Sequence, residues 1–595
     1  MKRVSAILAQ WIFLSGLALV IYLPSFKAAF HFDDQSAIVN NNYIQVQDLK
    51  PATLYRAAFQ DFGHNRPLTN LSFALNFYAN GLDPFGYHVA NFILLILAAL
   101  GILLLLEKVL PLAGMEKSRA GTAAFLAALV WIVHPVNTQA ITYIVQRHAS
   151  MAGAFSVWSI YFFHLGREKN RRAFYLLSAL VGVFAVLSKE TALVLPAIIF
   201  IYKLYFFDDL APGWPARNFK AIVALLVFYA CGIGLLLRPS MLKTITDFSD
   251  VSFTARQQFL SEPRALLWYP FIIAFPFPQF LNLIHNFNPS NSIFNLLTFV
   301  PFLVVFGLVF LALAKARQWK IFSFAVLWYF GQLAIEALPL PIDLVNEHRL
   351  YLASLGIIVP LVAIAIDRAK RMRIAFGWIA LIAAFFCLFS WQRNRVWTSE
   401  ISLWRDTTSK APGYVWSWYN YCTTLAQAGN CGAAVPACKQ AALLKPDDCS
   451  IHHNLGLCYA KTNQPDLAEK ELTRAKELAP KDFTKPYYSL AEFYSGRKEF
   501  EAAIKIYGQL IGQHPENLKA RYALAQTYLV AGREDDYINE MREILKLSPA
   551  WTAARIELSW FLARSGKCPD ALKLLSDSPT EIPGARDIKT YCQNH

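Results

Sequence analysis

The chain has 595 residues, 16% of them charged against 55% hydrophobic, with 45 Phe and 15 Trp. A soluble domain carries about a quarter charged residues, so an ordinary soluble enzyme is argued against, as are disordered, collagen-like and small disulfide-scaffold chains. The net charge of +15 would in a soluble chain point first to nucleic acid.

The location of that charge excludes a nucleic-acid partner. Basic residues gather between apolar runs: Lys2 and Arg3; Lys108, Lys117 and Arg119; Arg167, Lys169, Arg171 and Arg172; Lys203, Arg217 and Lys220; Lys315, Arg317 and Lys320; Arg368, Lys370, Arg371 and Arg373. Segments of about the 17–25 residues that cross a bilayer fall near 6–23, 89–106, 122–137, 148–165, 173–188, 191–207, 221–237, 296–314, 321–338, 351–366 and 374–391. These eleven crossings, with every basic cluster cytoplasmic, give one self-consistent path with the N-terminus inside and the C-terminus outside. The first run reads as a retained anchor, since it is long for a signal-peptide core. Leu266 to Leu283 is broken by Pro270, Pro276 and Pro278 and reads as re-entrant or interfacial. Two long loops, 24–88 and 238–295, face outward, and loops of that size tend to be functional. The expected organisation is a membrane domain over 1–395, a linker over 396–413 and a second domain over 414–595.

That second domain is periodic. Pro412, Pro446, Pro480, Pro515, Pro549 and Pro583 are separated by 34, 34, 35, 34 and 34 residues, the tetratricopeptide spacing. About five repeats are expected, stacked into a superhelix whose concave face suits extended protein partners. Seven of the nine cysteines lie here: Cys422, Cys431, Cys438, Cys449, Cys458, Cys568 and Cys592. The topology puts them outside the cytoplasm, where disulfides form. No Cys/His ligand spacing supports zinc. Cys568 with Cys592 is a pair at the C-terminal end, and the other pairings stay open.

The outward ends of the spans collect polar residues: His31-Phe32-Asp33-Asp34, Asn65-Arg66-Pro67, Gln146-Arg147-His148, Ser188-Lys189-Glu190 and Asn346-Glu347-His348-Arg349-Leu350-Tyr351. A cavity lined by Arg66, Arg147, Lys189 and Arg349 beside an acidic pair has the composition for a phosphate leaving group next to a carboxylate base. Singly, each has a structural reading: a solvated turn for Asp33 and Asp34, an interfacial anchor for Arg147, mutual neutralisation for Lys189 and Glu190. Two adjacent carboxylates could also hold a divalent metal, but no further ligands cluster near them in the sequence.

At these residues, with Ile38-Val39-Asn40-Asn41, Arg66-Pro67-Leu68-Thr69, Asp83-Pro84-Phe85-Gly86-Tyr87-His88 and His134-Pro135, the chain resembles the transmembrane and tetratricopeptide-repeat O-mannosyltransferases and their bacterial relatives, grouped with the protein O-mannosyltransferases in the GT-C glycosyltransferase class. The resemblance covers nearly the whole chain. It implies an all-α polytopic GT-C membrane fold followed by repeats, a polyprenyl-phosphate-linked sugar donor, an acceptor hydroxyl and an inverting displacement. It also implies Asp33 as base, Asp34 positioning the acceptor or Asp33, and Arg66, Arg147, Lys189 and Arg349 on the donor phosphate. Glu190, Gln146, Glu347, His348 and Tyr351 are expected in support. The contiguous acidic pair, in place of the Asp-X-Asp of oligosaccharyltransferases, favours transfer without metal or other cofactor. The expected acceptor is a protein held by the repeats, with a lipid or surface glycan as the alternative acceptor and a noncatalytic membrane scaffold as the alternative function. The expected setting is a bacterial inner membrane with periplasmic repeats, or an endoplasmic reticulum membrane with luminal ones.

Overall fold

A computed structural model describes residues 2–60, 66–236, 242, 246–249, 251, 253–577 and 584–594; Asn65 and Pro583 lie outside the described residues. Among those described the chain is helical and contains no strand. Contacts divide it into Met1–Ala411 and Pro412–His595.

In the first unit every apolar run contains a helix: Lys2–Tyr22, Pro84–Leu112, Lys117–Ile132, Arg147–Lys169, Arg172–Ser188, Leu195–Phe206, Phe219–Leu236, Leu296–Ala314, Lys320–Leu333, Leu355–Asp367 and Met372–Val396. Only four among the described residues are long and apolar enough to cross a membrane alone, and two bent pairs raise that to six. The eleven crossings expected from the sequence are therefore not all met by length and composition. Two physical reasons account for the shortfall. Breaks interrupt the outer ends, as where Lys117–Ile132 meets Pro135–Thr142 at 51°. Polar residues, moreover, occupy the most enclosed helix: Arg147–Lys169 buries His148, Ser150, Ser156, Ser159 and His164 against other helices rather than lipid.

The basic ends meet one another. Lys108 pairs with Glu168 at 2.7 Å, Arg119 donates to the carbonyls of Ile366 and Asp367, Arg317 donates to the Leu210 carbonyl, and Lys320 and Lys203 pair with Asp209 and Asp208.

Three expectations about the connections change. The 24–88 loop is built from the helices Pro51–Phe59 and Pro67–Asn80. Pro270 does not break the chain: Ala255–Ala274 is one helix containing Pro263 and Pro270, opened by a capping box of Thr254 and Gln257 and ended before Pro276. The stretch taken as a linker holds the helix Glu400–Lys410, capped by Ser399. Its Asp406 pairs with both Arg393 and Lys410 at 2.7 Å, and Lys410 donates to the Leu281 carbonyl, which ties it to the first unit.

The second unit stacks five helix pairs, Val415–Gln427 with Cys431–Leu444 through Thr552–Arg564 with Cys568–Ser576, and ends in Ala585–Asn594. Within each pair the turn carries one residue at positive φ: Gly429, Asn463, Lys498, Gly532 and Gly566. Their steps of 34, 35, 34 and 34 repeat the proline spacing, because each turn needs one left-handed residue to fold the second helix back. At Gly456 a Cβ would lie 2.7 Å from Leu472 Cγ, so the second pair closes on a missing side chain. Cys568–Cys592 forms as expected, and Cys422–Cys438 forms as well. The first joins the two helices of the first pair, and the second ties the last pair to the terminal helix Ala585–Asn594.

Candidate functional site

Beyond the first helix the backbone turns sharply at Phe32, whose φ of 42° is left-handed for a residue with a side chain. The turn sends the two carboxylates different ways. Asp34 is fully buried and accepts from the amides of His31 (2.9 Å) and Val145 (2.7 Å). Burial pushes its carboxyl up to about 8, against the pull of those amides. Asp33 stays exposed. Its amide donates to the Tyr143 hydroxyl at 2.8 Å. Tyr143 is buried and rests on Trp397, ring centroids 5.3 Å apart. His31 Nε2 donates to the Trp397 carbonyl at 2.6 Å, and burial lowers this imidazole to about 4, so it is neutral. Asp34 is thus a pin, and Asp33 is the carboxylate presented outward.

The segment that Asp34 holds leads directly to the cations. Val145 and His148 are three residues apart, at most about 11 Å along the chain. Gln146 is buried with its Oε1 unpartnered. Arg66 donates to His148 at 3.2 Å and grips Glu190 through Nε (3.0 Å) and Nη2 (2.6 Å). Lys189 turns away from Glu190 to pair with Glu336 at 2.6 Å, both buried, so the hairpin's two charges do not neutralise each other.

The His348 amide donates to Gln139 Oε1 at 2.7 Å, and the His348 ring lies 6.3 Å from that of His148. Arg349 donates to the carbonyls of Leu344 and Asp343, and its Nε has no partner. Lys189, Glu336, His348, Arg349 and Tyr351 line one polar cavity, and the buried Tyr351 hydroxyl is unpartnered.

Two expected residues point elsewhere. Arg147 donates to Asn91 (2.6 Å), Asn76 (2.5 Å), Ser72 and the Tyr87 carbonyl (2.9 Å), and its guanidinium lies 4.6 Å from the centre of the Phe73 ring. It ties the 143–148 segment to the helices before it instead of facing the cavity. Glu347, fully buried, accepts from the Asn282 amide at 2.5 Å and from His285 at 3.3 Å.

Tyr143, Gln139 and Glu336 were missed in the sequence, and His148 was placed in the outward polar set without a role. Glu336 carried a signal, a carboxylate inside an apolar run; Tyr143 carried none. Among the described residues no group of three or more His, Cys, Asp or Glu could hold a metal ion.

Two family descriptions, both tetratricopeptide repeat, match residues 450–482 and 496–536. The human protein O-mannosyl-transferase TMTC3 is 25% identical over 619 residues, 91% of this chain and 63% of that protein. Tmtc3 of Drosophila melanogaster is 25% identical over 80% of this chain and 59% of its own. Human TMTC4 is 26% identical over 71% and 64%. The chain thus spans 59–64% of the length of these relatives. Among solved structures, a MamA protein matches at 20% identity and TM-score 0.24 over 25% of this chain and 81% of that one. YrrB, titled a TPR protein with an unusual peptide-binding site, matches at 13% and 0.25 over 32% and 96%. Over most of its length the chain's homologues are TMTC protein O-mannosyl-transferases, and tetratricopeptide repeats form its C-terminal unit.

Proposed function

We propose that the chain is a membrane glycosyltransferase of the GT-C class that moves a sugar, mannose by analogy with the names of its relatives, from a polyprenyl-phosphate carrier to a protein hydroxyl outside the cytoplasm. One observation carries the reading: an exposed carboxylate, Asp33, is bonded through its amide to Tyr143 at the start of a short segment whose other end, His148, bonds Arg66, and Lys189 and Arg349 line a polar cavity with the helix that follows. A Ser or Thr hydroxyl needs a base to take its proton as it attacks. Asp33 accepts that proton while the acceptor oxygen bonds the anomeric carbon from the face opposite the phosphate. The bond from that carbon to the phosphate oxygen breaks with inversion, and the carrier leaves as a polyprenyl phosphate. Its growing charge meets Lys189 and Arg349 in the cavity, with Arg66 beside them, in a partly dry site where fixed cations act strongly. The repeats present the acceptor, in the periplasm of a bacterium or the lumen of the endoplasmic reticulum.

Replacing Asp33 by Asn keeps shape and removes the base. Transfer from polyprenyl-phosphate mannose to a Ser/Thr peptide is expected to fall by about a hundredfold or more while the repeats still bind that peptide. Unchanged transfer would sink the base assignment; peptide binding with no transfer by the unmodified protein would favour a scaffold.

A further inference from the structure

Tyr143 takes no part in the transfer step, yet its hydroxyl is bonded to Asp33. The hydroxyl oxygen accepts the Asp33 amide at 2.8 Å, which leaves the hydroxyl's own proton next to the residue whose side chain would act as base. A carboxylate has no proton to give, so toward the Asp33 side chain the tyrosine can only donate. The ring that carries this hydroxyl is immobilised independently of Asp33, buried at 2% exposure and set 5.3 Å from Trp397. Trp397 is held in turn by His31 at its carbonyl and by the Arg393 guanidinium, 5.8 Å from its ring centre.

We propose that Tyr143 is the positioning residue for Asp33, donating to one carboxylate oxygen so that the other is turned toward the acceptor hydroxyl. The tyrosine keeps its proton throughout, and the acceptor's proton goes to the other carboxylate oxygen of Asp33. The inference rests on the reading of Asp33 as base. The charged and titratable groups around the pair include Asp34 and His31 on its own turn, Arg147 on the following helix, Arg393 beneath Trp397, and Glu400, whose carboxylate accepts from the Phe32 amide at 3.4 Å.

A donor to a carboxylate favours its charged form, which sets the sign of the test. In the full chain in lipid nanodiscs, with polyprenyl-phosphate mannose and a Ser/Thr peptide, Tyr143→Phe removes only the oxygen and leaves the ring on Trp397. Expected are a fall in kcat of about tenfold, an unchanged KM for the lipid donor, and an acidic limb of kcat/KM moved to higher pH by about one unit. Incorporating 3-fluorotyrosine at 143, a stronger donor of the same shape, moves that limb to lower pH and serves if the Phe variant fails to fold.

A loss that is uniform across pH, with the limb in place in both variants, would mark Tyr143 as structural and overturn the proposal, as would no change at all. Asp33→Asn, run alongside, separates the two readings. Should it retain transfer, the base assignment itself fails; should it be inactive while the Tyr143 variants behave as the parent, only the role of Tyr143 fails.

Discussion

Arg147 is 1% exposed, and a guanidinium so far from water must find acceptors inside the protein. It finds Asn76 and Asn91 on two helices and the Tyr87 carbonyl between them. Lysine keeps the charge but offers a point donor in place of a planar fork, so it cannot meet all three. Arg147→Lys is expected to cost about 3–5 kcal/mol, seen as less folded protein in membranes and a lower melting midpoint, with the donor KM of the surviving fraction unchanged. A raised KM with normal folding would instead place Arg147 on the phosphate, as its residue type suggests. Residue type alone could not decide this, because an arginine needs acceptors whether they come from a ligand or from asparagines 71 and 56 residues upstream. Asp33 and Asp34 pose the same problem. They are neighbours in sequence, and only the turn at Phe32 makes one a buried pin and the other an exposed carboxylate.

Helices of the first unit were legible wherever apolar residues ran on, and each of those runs contains one. Their ends and breaks were not, because a proline such as Pro270 reads as a stop by its local chemistry, whereas neighbouring helices can hold the chain helical around it. Close helix crossings were equally invisible. Leu355–Asp367 crosses Lys320–Leu333 at Gly356, where a Cβ would stand 2.6 Å from the Ala325 carbonyl oxygen and 2.9 Å from Tyr329 Cβ. Backbone cannot swing aside as a side chain can, so Gly356→Ala must part the two helices, at a cost of about 1–3 kcal/mol. This crossing lies just beyond Tyr351 and the cavity, so activity should fall with stability. Gly307, in Leu296–Ala314, has nothing within 4 Å of a Cβ, and Gly307→Ala is the matched control. Melting of both variants in detergent decides it: equal midpoints would mean that the crossing tolerates a methyl group and that packing there is looser than the distances state.

Across the whole chain, composition separates into two physical regimes. The first unit carries apolar helices whose basic ends meet one another, and the second is a stack whose turns and prolines share one step. A repeat is the easiest architecture to read from sequence, because each unit must solve the same packing problem at the same interval. Covalent pairing is harder, since it depends on which side chains the stack brings within reach. Of nine cysteines, four form Cys422–Cys438 and Cys568–Cys592 and five are free. Disulfides persist on the oxidising side of a membrane and are rare in the cytosol, so the thiol count reports where the repeats reside. Chain purified with its thiols blocked only after denaturation, and labelled with a maleimide of known mass, should take five tags before reduction and nine after. Three tags before reduction would place the repeats on the same oxidising side and add a bond between the buried cysteines Cys431 and Cys458. Nine tags before reduction would put the repeats in a reducing compartment, and with them the C-terminal end of the path that sets Asp33 outside the cytoplasm.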